Sequence, residues 1–235
     1  MNRNVLQHFQ GYELLIRQLE EGVYRYNRDN LPIPFDFMGP DSIRVIRTYL
    51  GEQVPYSLYG GYQGAFKARL VIGDYTEQED YICCLVAKFN PRFISITHRD
   101  VLGALYHSGI DENKFGDLWV EDGKIYVYVC KETASYIINA VTRISHASVT
   151  FEETDSFPAQ QFKFRERTVT VSSYRLDKIL SQMIRKSREK AQLMIRGSLV
   201  NINYQSIEDC DYLCHNGDIV SVRGFGRYQI GEELA

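Results

Sequence analysis

The 235-residue chain lacks any apolar run approaching the roughly 18–20 residues that span a bilayer. Its start, MNRNVLQHFQGYELL, carries no signal-peptide core with a small-residue cleavage site. The expectation is a cytoplasmic chain with no membrane partner. The five cysteines, Cys83, Cys84, Cys130, Cys210 and Cys214, are an odd number without framework spacing. They read as reduced thiols. Cys210, Cys214 and His215 lack a second ligand pair, so no metal is expected. No phosphate loop ending in Gly-Lys-Ser/Thr occurs. Gly60-Gly61-Tyr62-Gln63-Gly64 lies between two strand candidates, not between a strand and a helix as a methyltransferase loop requires. Neither a cofactor nor a small-molecule substrate is therefore expected.

What is present is an ordinary globular composition, with 44% hydrophobic residues, enough for real cores. Lys+Arg number 27 and Asp+Glu 30, a net charge of -3 that, as an average, argues against nucleic acid. Charge acts locally, however. Residues 161–200 hold ten cations (Lys163, Arg165, Arg167, Arg175, Lys178, Arg185, Lys186, Arg188, Lys190, Arg196) against Glu166, Asp177 and Glu189, a balance of +7 that leaves -10 on the rest.

Residues 1–50 read as mainly helical, with an extended or turned Pro-rich stretch at 31–35 and a helix start at Gly39-Pro40-Asp41-Ser42. Tyr56 to Tyr59 and Ala65 to Gly73 are strand candidates. Residues 80–154 follow the order β-α-β-β-α-β: strand Tyr81 to Phe89, helix His98 to His107, strands Phe115 to Val120 and Lys124 to Cys130, helix Ala134 to Ile144, strand Ser148 to Glu152. That is the order of a split βαβ, ferredoxin-like domain, which RNA-recognition (RRM) modules share. In the third strand Tyr126 and Tyr128 share the face opposite Ile125, Val127 and Val129. That face either stacks RNA bases or is covered by the N-terminal segment; no RNP-type glycine-aromatic signature flanks the strand and Tyr is common throughout the chain, which favours the cover.

The basic island is ordered. Leu176, Ile179, Leu180, Met183 and Ile184 form the apolar stripe of a helix from about Arg175 to Arg185. Ser187 suits the N-cap of a second helix, in which Ala191, Met194 and Ile195 face inward and Arg188, Gln192 and Arg196 repeat along an outward face. Gly197 suits a left-handed exit. Two helices with cations and free N–H groups at one helix start suit a phosphate backbone. The candidate RNA contacts are Arg175, Lys178, Arg185, Lys186, Arg188, Lys190 and Arg196, with Arg223 and Arg227 next. Ser187 positions the second helix and Gly197 allows its exit. On this pattern Arg188→Glu with Lys178→Glu abolishes RNA binding and leaves the fold intact.

Residues 173–227 resemble the S-four type (alpha-L) RNA-binding domain. The matching residues are Arg175-Leu176-Asp177-Lys178, Ser187-Arg188, Ala191, Ile195, Gly197-Ser198-Leu199-Val200, Asn203 and Gly217-Asp218-Ile219-Val220-Ser221-Val222. Tyr204 departs from the glycine often found after that Asn. Outside this segment, Gly60-Gly61-Tyr62, Thr97-His98-Arg99-Asp100, Leu102-Gly103-Ala104-Leu105, Gly109-Ile110, Phe115-Gly116-Asp117 and Arg223-Gly224-Phe225-Gly226-Arg227 are similar to blocks of the bacterial YlmH family. The resemblance implies an RNA-binding central domain and binding of structured ribosomal or transfer RNA. It implies a role at the large ribosomal subunit in rescue or quality control of stalled translation, and a link to cell division. Two loops depart: Ala65-Phe66-Lys67-Ala68-Arg69 and Asp111-Glu112-Asn113-Lys114 are poorer in cations than the family.

The expected class is α+β and multi-domain: 1–76 an N-terminal helical and short-strand domain, 77–156 ferredoxin-like (RRM-like), 157–172 a linker or strand, and 173–235 the S-four type domain. Thr97 and Asp100 read as a helix cap; His98 and Arg99 are left over and, with Tyr126 and Tyr128, form a possible second RNA surface. No nucleophile or metal partner accompanies His98, so the expectation is a non-enzymatic protein. The alternatives are an RNA-modifying enzyme with its site in residues 1–154 and a division-associated adaptor.

Overall fold

The computed structural model describes residue 9 and residues 11–74, 81–160, 166–203 and 205–232. The fold is mixed α and β with several antiparallel sheets. It divides into two compact units, residues 1–161 and 162–235. The segments 1–76 and 77–156 thus sit together in one unit.

In the first unit, helices α1 (Glu13–Asp29) and α2 (Pro40–Leu50) accompany strands β1 (Ile33–Met38), β2 (Tyr56–Tyr59) and β3 (Ala68–Ile72), ordered β1-β3-β2. The Pro-rich stretch becomes edge strand β1, where Pro34 removes no ladder bond the sheet needs. Pro40 opens α2 at a position whose N–H has no helical partner. Ile16 and Leu19 of α1, Val45, Ile46 and Leu50 of α2, and Leu70 and Ile72 of β3 close one core.

A second sheet follows, built from β4 (Ile82–Lys88), β5 (Phe115–Glu121), β6 (Lys124–Cys130) and β9 (Phe151–Thr154), ordered β5-β6-β4-β9. Helix α3 (His98–His107) keeps its expected bounds, and Thr97 and Asp100 cap it reciprocally. Asp122 and Gly123 both take positive φ, the turn that joins β5 to β6. The helix expected over 134–144 ends early: α4 covers Ala134–Ala140, and a small hairpin, β7 (Arg143–Ile144) with β8 (Ala147–Ser148), replaces its last turn. Val141 and Ile144 still reach the core, so the apolar spacing is satisfied without a helix. The last strand accordingly starts at Phe151 rather than Ser148.

The Tyr128 end of the face of this sheet opposite that core is covered. Tyr128 is 0% exposed and packs among Phe37, Tyr62, Trp119 and Phe157. Its hydroxyl donates to the Pro158 carbonyl at 2.7 Å. Gly61, at φ +100, lies so close that a Cβ there would stand 2.2 Å from the Tyr128 ring. Phe157 and Pro158, read from sequence as linker, thus belong to the cover. The buried Asp117 carboxylate ties the glycine turn down, accepting from Tyr62 Oη (2.7 Å), Phe66 N (2.7 Å) and Lys67 N (3.0 Å). Buried Arg69 donates to Phe35 O at 2.6 Å, to Tyr81 O and to both Glu132 oxygens.

The second unit packs α5 (Leu176–Ile184) against α6 (Arg188–Arg196), beside a sheet of β10 (Val200–Ile202), β11 (Gln205–Ser206), β12 (Ile219–Val222) and β13 (Gly226–Gln229), ordered β11-β10-β12-β13. The expected stripes meet: Leu176, Ile179, Leu180 and Ile184 are buried with Ala191, Met194 and Ile195. Asn203 donates to Asp218 at 2.8 Å and accepts from Ile219 N at 3.0 Å, fixing the turn after β10. The departing residue Tyr204 and the cations Lys163 and Arg165 lie outside the described residues.

Candidate nucleic-acid interface

The organising group of the basic surface is an acid. Asp177, in the first turn of α5, is 0% exposed. Its Oδ2 accepts from Arg188 Nε (2.9 Å), Gln192 Nε2 (2.8 Å) and Arg175 Nη2 (3.2 Å), and its Oδ1 from Arg175 Nε (3.3 Å). Arg175 also pairs with Asp211. Burial alone would raise the Asp177 carboxyl; the bonds from Arg175, Gln192 and Arg188 outweigh it and hold the group at about 2.

This corrects the reading of a uniformly outward face. Arg188 and Gln192 turn toward Asp177, being one helical turn apart on the side that meets α5, whereas Arg196 stays exposed. Arg188→Glu would set one carboxylate against another, so it is expected to destabilise the helix pair rather than act on RNA binding alone. The two arginines remain partly open, with side chains 31% (Arg175) and 48% (Arg188) exposed, so their guanidinium groups are oriented and still reachable. Lys178 donates to Ser172 Oγ at 2.9 Å.

Four cations are exposed and their side chains have no hydrogen-bond or ion-pair partner among the described residues: Arg185, Lys186, Lys190 and Arg196. Arg185 ends α5 in the left-handed region at φ 52, and Ser187 caps α6 by accepting from Lys190 N at 3.2 Å. The loop between the helices therefore projects Arg185 and Lys186 beside the cationic start of α6. Gly197 is not left-handed; its φ is -87, and Ser198 at φ 54 takes that role. The glycine instead allows close approach, since a Cβ there would stand 3.1 Å from Leu193 O. Arg223 and Arg227 are exposed at the β12–β13 turn.

The second candidate surface divides. Tyr128 is buried, so it presents no ring to a base; Phe37, Tyr62 and Phe157 occupy that space. Tyr126 is half-buried and stacks on Trp119, ring centroids 4.9 Å apart. His98 and Arg99 are exposed at the start of α3, without a hydrogen-bond partner among the described residues. Partial desolvation lowers the His98 pKa, against the pull of Asp117. The lysines of the two cation-poor loops are engaged within the unit: Lys67 donates to Glu112 O at 2.9 Å, and Lys114 contacts both Asp36 oxygens at 2.8 Å.

Asp36, Cys130 and Glu132 bring potential ligand atoms within 4.8 Å of one another. Cations already serve the acids there: Lys114 holds Asp36 and Arg69 holds Glu132. Burial pushes the Cys130 thiol up to about 12. This donor set suits an internal ion-pair junction rather than a metal.

Sequence reasoning counted Asp177 as charge subtracted from the island and as a member of the Arg175-Leu176-Asp177-Lys178 motif, and gave it no role in holding the arginines. The signal was available: its neighbours three, four and seven residues on are Leu180, Ser181 and Ile184, all buried, so it stands within the inward stripe. Asp211 gave no such signal, since its pairing depends on the fold.

Residues 76–157 match a family model described as "Putative RNA-binding domain in YlmH". The Ribosome-associated protein quality control protein P2 of Bacillus subtilis (strain 168) is 32% identical over 201 residues, covering 82% of this chain and 77% of that protein. The solved structure of the cell division protein ylmH from Streptococcus pneumoniae is similar in fold, with a TM-score of 0.53 at 15% identity, over 62% of this chain and 92% of that one.

Proposed function

The chain belongs to the YlmH family, and from that premise we propose that it is a non-enzymatic, cytoplasmic protein that binds structured ribosomal or transfer RNA through its C-terminal unit. We assign that unit to the S-four type and the β5-β6-β4-β9 module to the ferredoxin-like class. Its place of action is the large ribosomal subunit, in quality control of stalled translation; the relative named for ribosome-associated quality control supports this reading. The observation that carries it is the graded cationic surface. Arg185, Lys186, Lys190 and Arg196 are free to meet phosphates, and Asp177 holds Arg175 and Arg188 beside them. Contacts of this kind read backbone and shape rather than base sequence.

The test reverses free cations only. Lys190→Glu with Arg196→Glu abolishes co-sedimentation with large subunits at low salt while the circular dichroism spectrum stays that of the parent. Retained co-sedimentation by the folded variant refutes the assignment. Mass spectrometry of RNA from cells with and without the protein checks the non-enzymatic part, where identical modification patterns are expected.

A further inference from the structure

Phosphate contacts alone leave one feature of the C-terminal unit without a role, the aromatic ring in Arg223-Gly224-Phe225-Gly226-Arg227. Val222 stands opposite Gly226 in the β12–β13 ladder, so Arg223, Gly224 and Phe225 make the reversal. Phe225 N donates to Val222 O at 3.0 Å, and Phe225 O accepts from Tyr228 Oη at 3.2 Å. Gly224 at φ +82 and Gly226 at φ +100 supply the backbone conformations that the turn needs. The turn is thus held through the backbone of Phe225, and its ring is not needed to close it.

The ring is idle in the fold. Phe225 is 39% exposed, lies outside the core cluster of its unit and makes no ring or cation contact among the described residues. A Cβ added at Gly224 or at Gly226 would meet nothing within 4 Å, so the chain on either side of the ring is bare.

Cations surround it. Alternation along β12 places Arg223, like Ser221, on the face away from buried Val220 and Val222. Arg227 stands opposite Ser221 and shares that face. The Arg223 side chain has no partner among the described residues. Arg223 N donates to Leu199 O at 2.9 Å, and Leu199 N to Met194 O at 3.0 Å, which ties the turn to the exit of α6 beside exposed Arg196. Glu208, on the segment that meets this exit, is engaged by Ser198 Oγ at 2.6 Å. The hairpin therefore extends the cationic surface of α6 and adds an aromatic face, which α6 itself lacks.

We propose that Phe225 is a base platform, on which one unpaired base of the bound RNA stacks while Arg223 and Arg227 meet the phosphates on either side of that nucleotide. An aromatic ring within a cationic track takes unpaired bases without sequence choice, because every base has a π face. The proposal rests on the RNA-binding reading of the C-terminal unit and names its ligand more closely: a duplex interrupted by an unpaired base, rather than a continuous one.

The experiment uses the full chain and two probes, a short RNA stem-loop and the same stem-loop with a single adenosine bulged from its stem. The parent is expected to bind the bulged probe about tenfold more tightly, the size of one base–aromatic stack. Phe225→Ala, which keeps both glycines and both backbone hydrogen bonds, is expected to remove that preference and leave affinity for the continuous stem unchanged. Phe225→Trp is expected to retain it. Equal affinity of the parent for both probes, or a preference that survives Phe225→Ala, overturns the platform while the C-terminal reading stands. An equal loss on both probes in Phe225→Ala makes the ring a general support of the surface and also overturns it. Altered self-association of Phe225→Ala with unaltered RNA affinities assigns the ring to a second copy, with the same consequence. Failure of the parent to bind either probe overturns both readings.

Discussion

Replacing Asp177 by Asn removes one negative charge from a cationic surface and nearly preserves its shape. Simple electrostatics gives the sign of one effect. A unit charge about 7 Å from a phosphate in a water-like medium is worth about 0.6 kcal/mol, so the variant would bind RNA roughly threefold more tightly. The geometry argues for the opposite outcome. Asp177 receives four hydrogen bonds from Arg175, Arg188 and Gln192, and only a carboxylate holds two guanidinium groups in that way. Its carboxyl shifts from 3.8 to about 2. At about 1.4 kcal/mol per unit, discounted because both arginines meet solvent, this gives about 1–2 kcal/mol of stability. Loss of orientation in two phosphate contacts is expected to weaken RNA binding about tenfold, or about 1.4 kcal/mol. A filter-binding titration at fixed salt, with a thermal melt to confirm folding, measures the sign. Asp211→Asn is the control: Asp211 is exposed and holds one arginine only, so its loss should leave affinity level or slightly raised. Tighter binding by a folded Asp177→Asn protein would refute the positioning role.

Acid gives a second prediction. Because the Asp177 carboxyl lies below its unfolded value, its contribution is whole above about pH 4 and fades as pH falls toward 2. Hydrogen-exchange protection factors across residues 176–196, with the intrinsic pH dependence of exchange divided out, should fall in that window and be level from pH 5 to 7. Gly61→Ala should destabilise the first unit by roughly 3 kcal/mol or more, since the new methyl group meets the Tyr128 ring at 2.2 Å at a residue with φ +100. Denaturant unfolding followed at Trp119 checks this, and an unchanged midpoint would contradict the close packing. RNA affinity should fall with salt along a log–log slope of about -4 to -5, as expected for roughly six phosphates. A slope near -1 would rule out the extended surface.

Much of this was legible because it is local. The stripe Leu176, Ile179, Leu180 and Ile184 needs only helical period and burial, and it packs where the spacing predicted. Thr97 and Asp100 cap α3 because a hydroxyl and a carboxylate three residues apart satisfy each other's backbone N–H groups. Asp122-Gly123 turns because both residues tolerate positive φ. The errors have one source. Val141 and Ile144 fit a helical stripe and a short hairpin equally well, since both bury the same side chains. Gly197 fits a left-handed exit and a close approach equally well, and Ser198 takes the former.

The sequence by itself determined where the long helices and the central strands lie, where the cations concentrate, and that a net charge of -3 conceals a basic end on an acidic body. Tertiary structure alone decided what those cations do. Arg175 and Arg188 lie thirteen residues apart, and only the packing of α5 against α6 brings both onto the Asp177 carboxylate. Tyr126 and Tyr128 share a strand face in the sequence pattern, yet the turn at Gly61, far earlier in the chain, buries one and leaves the other at the open edge. Period and propensity act over a few residues, whereas burial and charge pairing depend on distances that only the folded chain sets.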